Sequence, residues 1–171
     1  MSIVTMLKKF VIPFLLTVLL LGLAFSLSGK QAAPAVTFTT LEGKTIDMQQ
    51  LKGKMVLVNF WATTCPGCIA EMPQLIQAYR KHQPKGFEVV AVAMSYDPAE
   101  QVRTFTTKRQ LPFPVTLDAD GTLAKAFGDV KLTPTAVLID QQGNIIATTV
   151  GELDFAKLDQ QLESQLGRAG A

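Results

Sequence analysis

The chain has 171 residues, 48% of them hydrophobic, which is enough for one domain with short appendages and calls for no second one. Its formal net charge of +2 is carried by Lys8 and Lys9, since the remainder holds 14 basic and 14 acidic residues. That balance gives no reason to expect nucleic acid as a partner.

The segment 1–27 places Lys8 and Lys9 ahead of an uncharged run from Phe10 to Leu27 rich in leucine and valine. As a helix the run reaches about 27 Å, close to the thickness of a hydrocarbon core, so it is expected to be a signal anchor or transmembrane helix. Small residues at Ser26, Ser28, Ala33 and Ala35 leave cleavage as a signal peptide open. The adjacent lysines favour a cytoplasmic N-terminus, which sends the rest of the chain across the membrane. No cysteine follows the run, so lipid attachment there is excluded. Residues 28–35, small and polar, read as a linker, and the folded domain is expected over 36–171.

Val36, Phe38, Thr45 and Ile46 flank Glu42-Gly43 and predict a short N-terminal β-hairpin. Met55 to Trp61 is a nearly continuous apolar run with valines and aromatics, the pattern of a central strand buried on both faces. From Pro66 to about His82, Ile69, Met72, Leu75, Ile76 and Tyr79 recur at helical spacing, with Pro66 suited to the first turn and Pro73 expected to interrupt the helix and kink it. Phe87 to Met94 predicts a second buried strand, and Pro98 to Arg109 a helix capped by Asp97. A short strand over Val115 to Leu117, a turn at Asp118 to Gly121 and a brief helix from Thr122 to Phe127 follow. Thr135 to Asp140 and Asn144 to Val150 flank Gln142-Gly143 as an antiparallel hairpin, and a last helix from Asp154 to Leu166 carries Phe155, Leu158, Leu162 and Leu166 on one face. Strands alternating first with helices and then closing in a hairpin call for an α/β fold with a mixed central sheet flanked by helices on both faces.

The two cysteines, Cys65 and Cys68, stand where the apolar strand gives way to a helix start. A staple closing so small a loop would remove little chain entropy, whereas a sulfur at a helix N-terminus meets unpaired backbone amides that favour the thiolate. Cys65 is therefore expected to be the nucleophile and Cys68, one turn into the helix, to resolve the mixed disulfide. Glu71, three residues on, returns to the same helical face. It is either a partly desolvated carboxylate that accepts the Cys68 proton or a solvated residue complementing the helix dipole. His82 reads as a surface residue at a helix end, and Met48, Met55, Met72 and Met94 as filler; Lys52 and Lys54 read as solvated.

Trp61-Ala62-Thr63-Thr64-Cys65-Pro66-Gly67-Cys68, Glu71, Pro73 and Thr133-Pro134-Thr135 resemble the thioredoxin superfamily, specifically its membrane-anchored extracytoplasmic TlpA/ResA-like branch. The likeness spans about residues 36–166, and Leu111-Pro112-Phe113-Pro114 before Asp118-x-Asp120-Gly121 also looks like this branch. Thr64 departs from it, since many relatives have a second tryptophan there. The resemblance implies a thioredoxin-like fold, a cis Thr133-Pro134 bond beside the cysteines, and main-chain pairing of Thr133 with a bound polypeptide; from the residues alone Pro134 is equally a trans proline opening a strand. Trp61 and Thr64 are expected to line the rim around Cys65, the alternative for Trp61 being the core.

The same resemblance implies a protein-disulfide reductase working outside the cytoplasmic membrane without a cofactor. It would be re-reduced by a DsbD- or CcdA-like membrane donor, with clients such as apocytochrome c, metal-site proteins or misoxidised proteins. Two other readings of the cysteine pair stay open: a thiol peroxidase, helped by Thr63 and Thr64, and a Cu(I)-binding or transfer protein using two soft thiolates.

Overall fold

The computed structural model describes residues 31–167 and, within the N-terminal run, Phe14, Leu15, Thr17 and Val18, which are helical. The expected anchor and most of its flanks lie outside the described residues; among those described, no helix is long and apolar enough to cross a membrane. The domain is organised from Gln31 onward. Part of the expected linker belongs to it, because Gln31 O accepts from Ile145 N–H at 2.7 Å and Ala33 N–H donates to Gly143 O at 2.8 Å.

Strands β1 (Thr37–Thr39) and β2 (Thr45–Asp47) form the predicted antiparallel hairpin. The main sheet has five strands in the order β5-β4-β3-β6-β7, where β3 is Met55–Trp61, β4 Phe87–Ala93, β5 Val115–Leu117, β6 Thr135–Ile139 and β7 Ile145–Val150. β3 runs parallel to β4 and antiparallel to β6, and β4 is parallel to β5. With a partner on each edge and all seven residues buried, β3 occupies the middle of the sheet, as its nearly continuous apolar run requires.

Alternation along β3 splits the core in two. Met55, Leu57 and Trp61 face helices α1 (Pro66–His82), α2 (Ala99–Arg109) and α4 (Phe155–Leu166), through Met72 and Leu75, Val102, and Leu158 and Leu162. Val56, Val58 and Phe60 face the β-hairpin and α3 (Thr122–Ala126), through Phe38, Leu123 and Phe127. Asp118 is buried, and its two carboxylate oxygens accept the N–H groups of Leu123 and Ala124 at 2.9 and 2.8 Å, which seats α3 on the sheet.

Two expectations are corrected. Pro73 does not interrupt α1, which runs on to His82; the proline is exposed and removes only the bond its N–H would have made to the Ile69 carbonyl. His82 is not on the surface but fully buried, edge-on to Phe87, with Nε2 2.6 Å from Asp159 Oδ1 of α4. It continues the stripe of Leu75 and Tyr79 at helical spacing, so the packing of α4 covers it. Lys54 keeps a solvated side chain, and its Nζ also lies 3.1 Å from Glu88 Oε2. The four methionines Met48, Met55, Met72 and Met94 are all buried in the core.

Candidate active site at the cysteine turn

β3 ends at Trp61, and the chain turns back so that Cys65 N–H donates to Ala62 O at 3.2 Å. Cys65 then has the extended backbone of an N-cap residue, and Pro66 supplies a first helical position that needs no donor. Cys65 Sγ accepts the N–H of Cys68 at 3.2 Å, so a helix-end amide points at the sulfur. The two sulfurs are bonded, with Cα atoms 5.3 Å apart. Cys65 is half-buried and Cys68 fully buried, which leaves Cys65 as the sulfur that an incoming group can reach.

Register brings the second loop to the same place. Phe60 pairs with Thr135, so Thr133 and Pro134 lie at the end of the sheet where β3 releases the cysteine turn. The Thr133–Pro134 peptide is cis, the isomer the resemblance implies. Thr135 Oγ1 donates to Leu132 O at 2.8 Å, and Pro134 O accepts Gly151 N–H at 2.8 Å. Thr133 is half-buried, its hydroxyl 3.3 Å from the exposed Tyr96 hydroxyl.

Glu71 is 5% exposed, so it is the desolvated carboxylate and not the solvated one. Its Oε2 accepts Leu153 N–H at 3.1 Å, while Oε1 is buried without a hydrogen-bond partner. Burial raises its pKa above the ordinary glutamate value; the Leu153 amide opposes this, the nearby Glu152 charge adds to it, and the Asn59 side chain opposes it. Asn59, on the same face of β3 as Leu57 and Trp61, is fully buried, and neither amide atom reaches a full hydrogen bond. Its influence on Glu71 is accordingly that of a nearby dipole. A buried carboxyl of raised pKa and a neutral amide thus lie under the cysteine turn, and in its carboxylate form Glu71 is the stronger base for it, a setting able to take up a proton from an adjacent thiol.

Thr64 is exposed beside Cys65, as a rim residue must be. Trp61 is not on the rim: it is fully buried, its ring 5.2 Å from that of Phe105 of α2, because a strand end roofed by a helix is core. Asp97 was expected to cap α2, but the N-cap position is Pro98 and has no side-chain cap bond. Asp97 is instead buried, and its Oδ2 accepts Thr63 N–H at 2.6 Å while Oδ1 takes the Thr63 hydroxyl. Sequence reasoning missed this pair, as well as Asn59 and the amide of Leu153. An asparagine interrupting the apolar run of β3 was the one signal available for any of them.

Residues 27–162 match the Redoxin family model. Thiol-disulfide oxidoreductase ResA of Bacillus thuringiensis subsp. konkukian is 40% identical over 136 residues, spanning 79% of this chain and 76% of that protein. Thioredoxin-like protein YneN of Bacillus subtilis is 34% identical over 137 residues, 78% of each chain. Among solved structures, a thiol:disulfide interchange protein of the thioredoxin family from Chlorobium tepidum superposes with a TM-score of 0.75 at 30% identity, covering 82% of this chain and 99% of that one. StoA from Bacillus subtilis superposes with a TM-score of 0.65 at 28% identity, covering 75% and 96%. With the bonded cysteine pair on a thioredoxin-like sheet, these likenesses establish that the chain belongs to the Redoxin family, among its ResA-like thiol-disulfide oxidoreductases.

Proposed function

We propose that the protein is an extracytoplasmic reductase of protein disulfides, tethered by its N-terminal run, in which Cys65 attacks, Cys68 resolves and Glu71 takes the resolving proton. The observation that carries this reading is the asymmetry of the pair: one sulfur half-buried at a helix N-terminus, the other enclosed one turn later with a buried carboxyl next along the same face.

The Cys65 thiolate attacks one sulfur of a client disulfide, that S–S bond breaks, and the departing client sulfur takes up a proton. Cys68 passes its proton to Glu71 and attacks Cys65 Sγ, which closes the Cys65–Cys68 disulfide and frees the second client sulfur as a thiolate to be protonated in turn. Two electrons and two protons pass to the client. The oxidised pair is then reduced by a dithiol carrier in the membrane, of the DsbD or CcdA kind, because an oxidising compartment supplies no soluble reductant. Thr133 and Pro134, with exposed Thr64, form the edge along which an extended client segment pairs through its main chain. Cytochrome c maturation and upkeep of metal-site thiols are the client classes that fit.

The test is capture of clients in the native cell. A Cys68→Ala variant is expected to accumulate mixed disulfides on Cys65, and the wild type to reduce insulin. Adducts captured by a Cys65→Ala variant with Cys68 intact, or insulin left unreduced, would overturn the assignment.

A further inference from the structure

The loop between β7 and α4, residues 151–154, touches the site at three consecutive positions. Gly151 N–H donates to Pro134 O at 2.8 Å, and Leu153 N–H donates to Glu71 Oε2 at 3.1 Å. Between them the Glu152 carboxylate is pressed against Gly67, the residue just before Cys68: a Cβ at Gly67 would stand 2.9 Å from Glu152 Oε1. Glu152 is exposed. A second carboxylate therefore lies on the cysteine turn, delivered from the far end of the chain.

We infer that Glu152 is a further residue of the exchange reaction, acting through Glu71, and that the charge it sets against the Gly67 turn governs the pH at which the dithiol gives up its protons. This rests on the proposed role of Glu71 as acceptor. A negative charge within a few ångströms opposes the formation of another, and more strongly where one of them is buried. Glu152 accordingly strengthens the hold of Glu71 on its proton, second to the effect of burial among the causes that raise it. It opposes the thiolate on the same turn in the same way, against the pull of the helix-end amides. A less stabilised thiolate favours the disulfide, so Glu152 biases the pair toward giving electrons.

Glu71 shares a face of its own helix with Cys68, and Asn59 from β3 and Glu152 with the Leu153 amide from the loop act on it. Glu152 in turn shares the lining of a cavity of about 240 Å³, between the sheet and α4, with Asp154 and Lys157. Because it acts through Glu71, Glu152 is a positioning residue and not a catalytic one.

The experiment compares the full-length wild type with Glu152→Asp, Glu152→Gln and Glu152→Lys. The Glu71 side-chain carboxyl is titrated by NMR in the oxidised protein, and reduction of a peptide disulfide by the reduced protein is followed against pH. The Glu71 midpoint is expected to stay near wild type in Glu152→Asp, to fall in Glu152→Gln and to fall further in Glu152→Lys, with the acid limb of the rate profile moving the same way. One midpoint for all four proteins, an equal shift in Glu152→Asp and Glu152→Gln, or a midpoint that moves while the rate profile stays fixed would each overturn the inference. A wild type that reduces no peptide disulfide would instead sink the exchange reading, and the two failures are separable because the Glu71 titration needs no substrate.

Discussion

Thr63 leaves the end of β3 bound to Asp97, which takes both its backbone N–H, at 2.6 Å, and its hydroxyl. A residue in the β4–α2 connection thus fixes the turn that delivers Cys65. The neighbouring Tyr96 reaches Thr133 of the other loop, so one short connection is tied to both halves of the site.

Replacing Asp97 by alanine leaves the Thr63 N–H without its acceptor and the Thr63 hydroxyl with only Gln101 Oε1, at 3.2 Å, and stability is expected to fall by about 1–3 kcal/mol. Asp97→Asn keeps both contacts in altered polarity, since an amide accepts the N–H and donates to the hydroxyl. It should therefore lie much closer to wild type. Chemical denaturation of the oxidised protein reads both, and equal losses in the two variants would refute the hydrogen-bond account.

Glu71 holds its proton more tightly in the fold than an ordinary glutamate does, chiefly because it is buried. The sign of the linkage follows: its contribution is fully present below the unfolded-state pKa and is lost as pH rises through the raised folded value. Wild-type stability is thus expected to decline relative to Glu71→Gln from about pH 4 upward. The same variant should slow the resolving step about a hundredfold or more, the scale of a lost proton acceptor. Denaturation across pH and stopped-flow detection of the mixed disulfide measure the two effects; parallel stability curves would contradict the first.

At the far end of α1, Asp159 is held below the ordinary aspartate range, first by Lys81 and then by His82. Here the stability is present above the unfolded-state pKa and is lost as pH falls through the lowered folded value. Acidification below about pH 4 should therefore loosen the contact between α1 and α4. Amide exchange in Leu158 to Leu166 is expected to quicken there, and in Asp159→Asn to be already fast at neutral pH and indifferent to acid.

Tyr79 is pushed up to about 12, first by burial, then by the Glu88 charge and by its hydrogen bond to Glu88. Its contribution to stability is intact below the ordinary tyrosine value and lost as pH rises through about 12. An ultraviolet titration of the folded protein should contain a tyrosine step near that pH, absent from Tyr79→Phe; a titration identical in the two proteins would show that Tyr79 ionises elsewhere.

The strands and helices were legible because burial leaves a periodic mark. The apolar run of β3, broken only by Asn59, announced a central strand, and the leucines of α4 announced one buried face. The cysteine chemistry was legible because Cys65, Pro66 and Cys68 are neighbours in the chain and their setting at a helix start is local. His82 and Trp61 were misread for the opposite reason: what covers each of them, α4 and α2, comes from elsewhere in the chain.

The sequence by itself determined which sulfur would sit at a helix N-terminus, since strand, turn and helix propensities act over a few residues. Only the tertiary structure decided the surroundings of that sulfur. Asp97 on Thr63, Leu153 on Glu71 and Glu152 over Gly67 are separated along the chain by 34, 82 and 85 residues respectively. Such pairs meet only once the sheet order is set, and no local preference encodes them, because the free energy that brings them together belongs to the burial of the whole core.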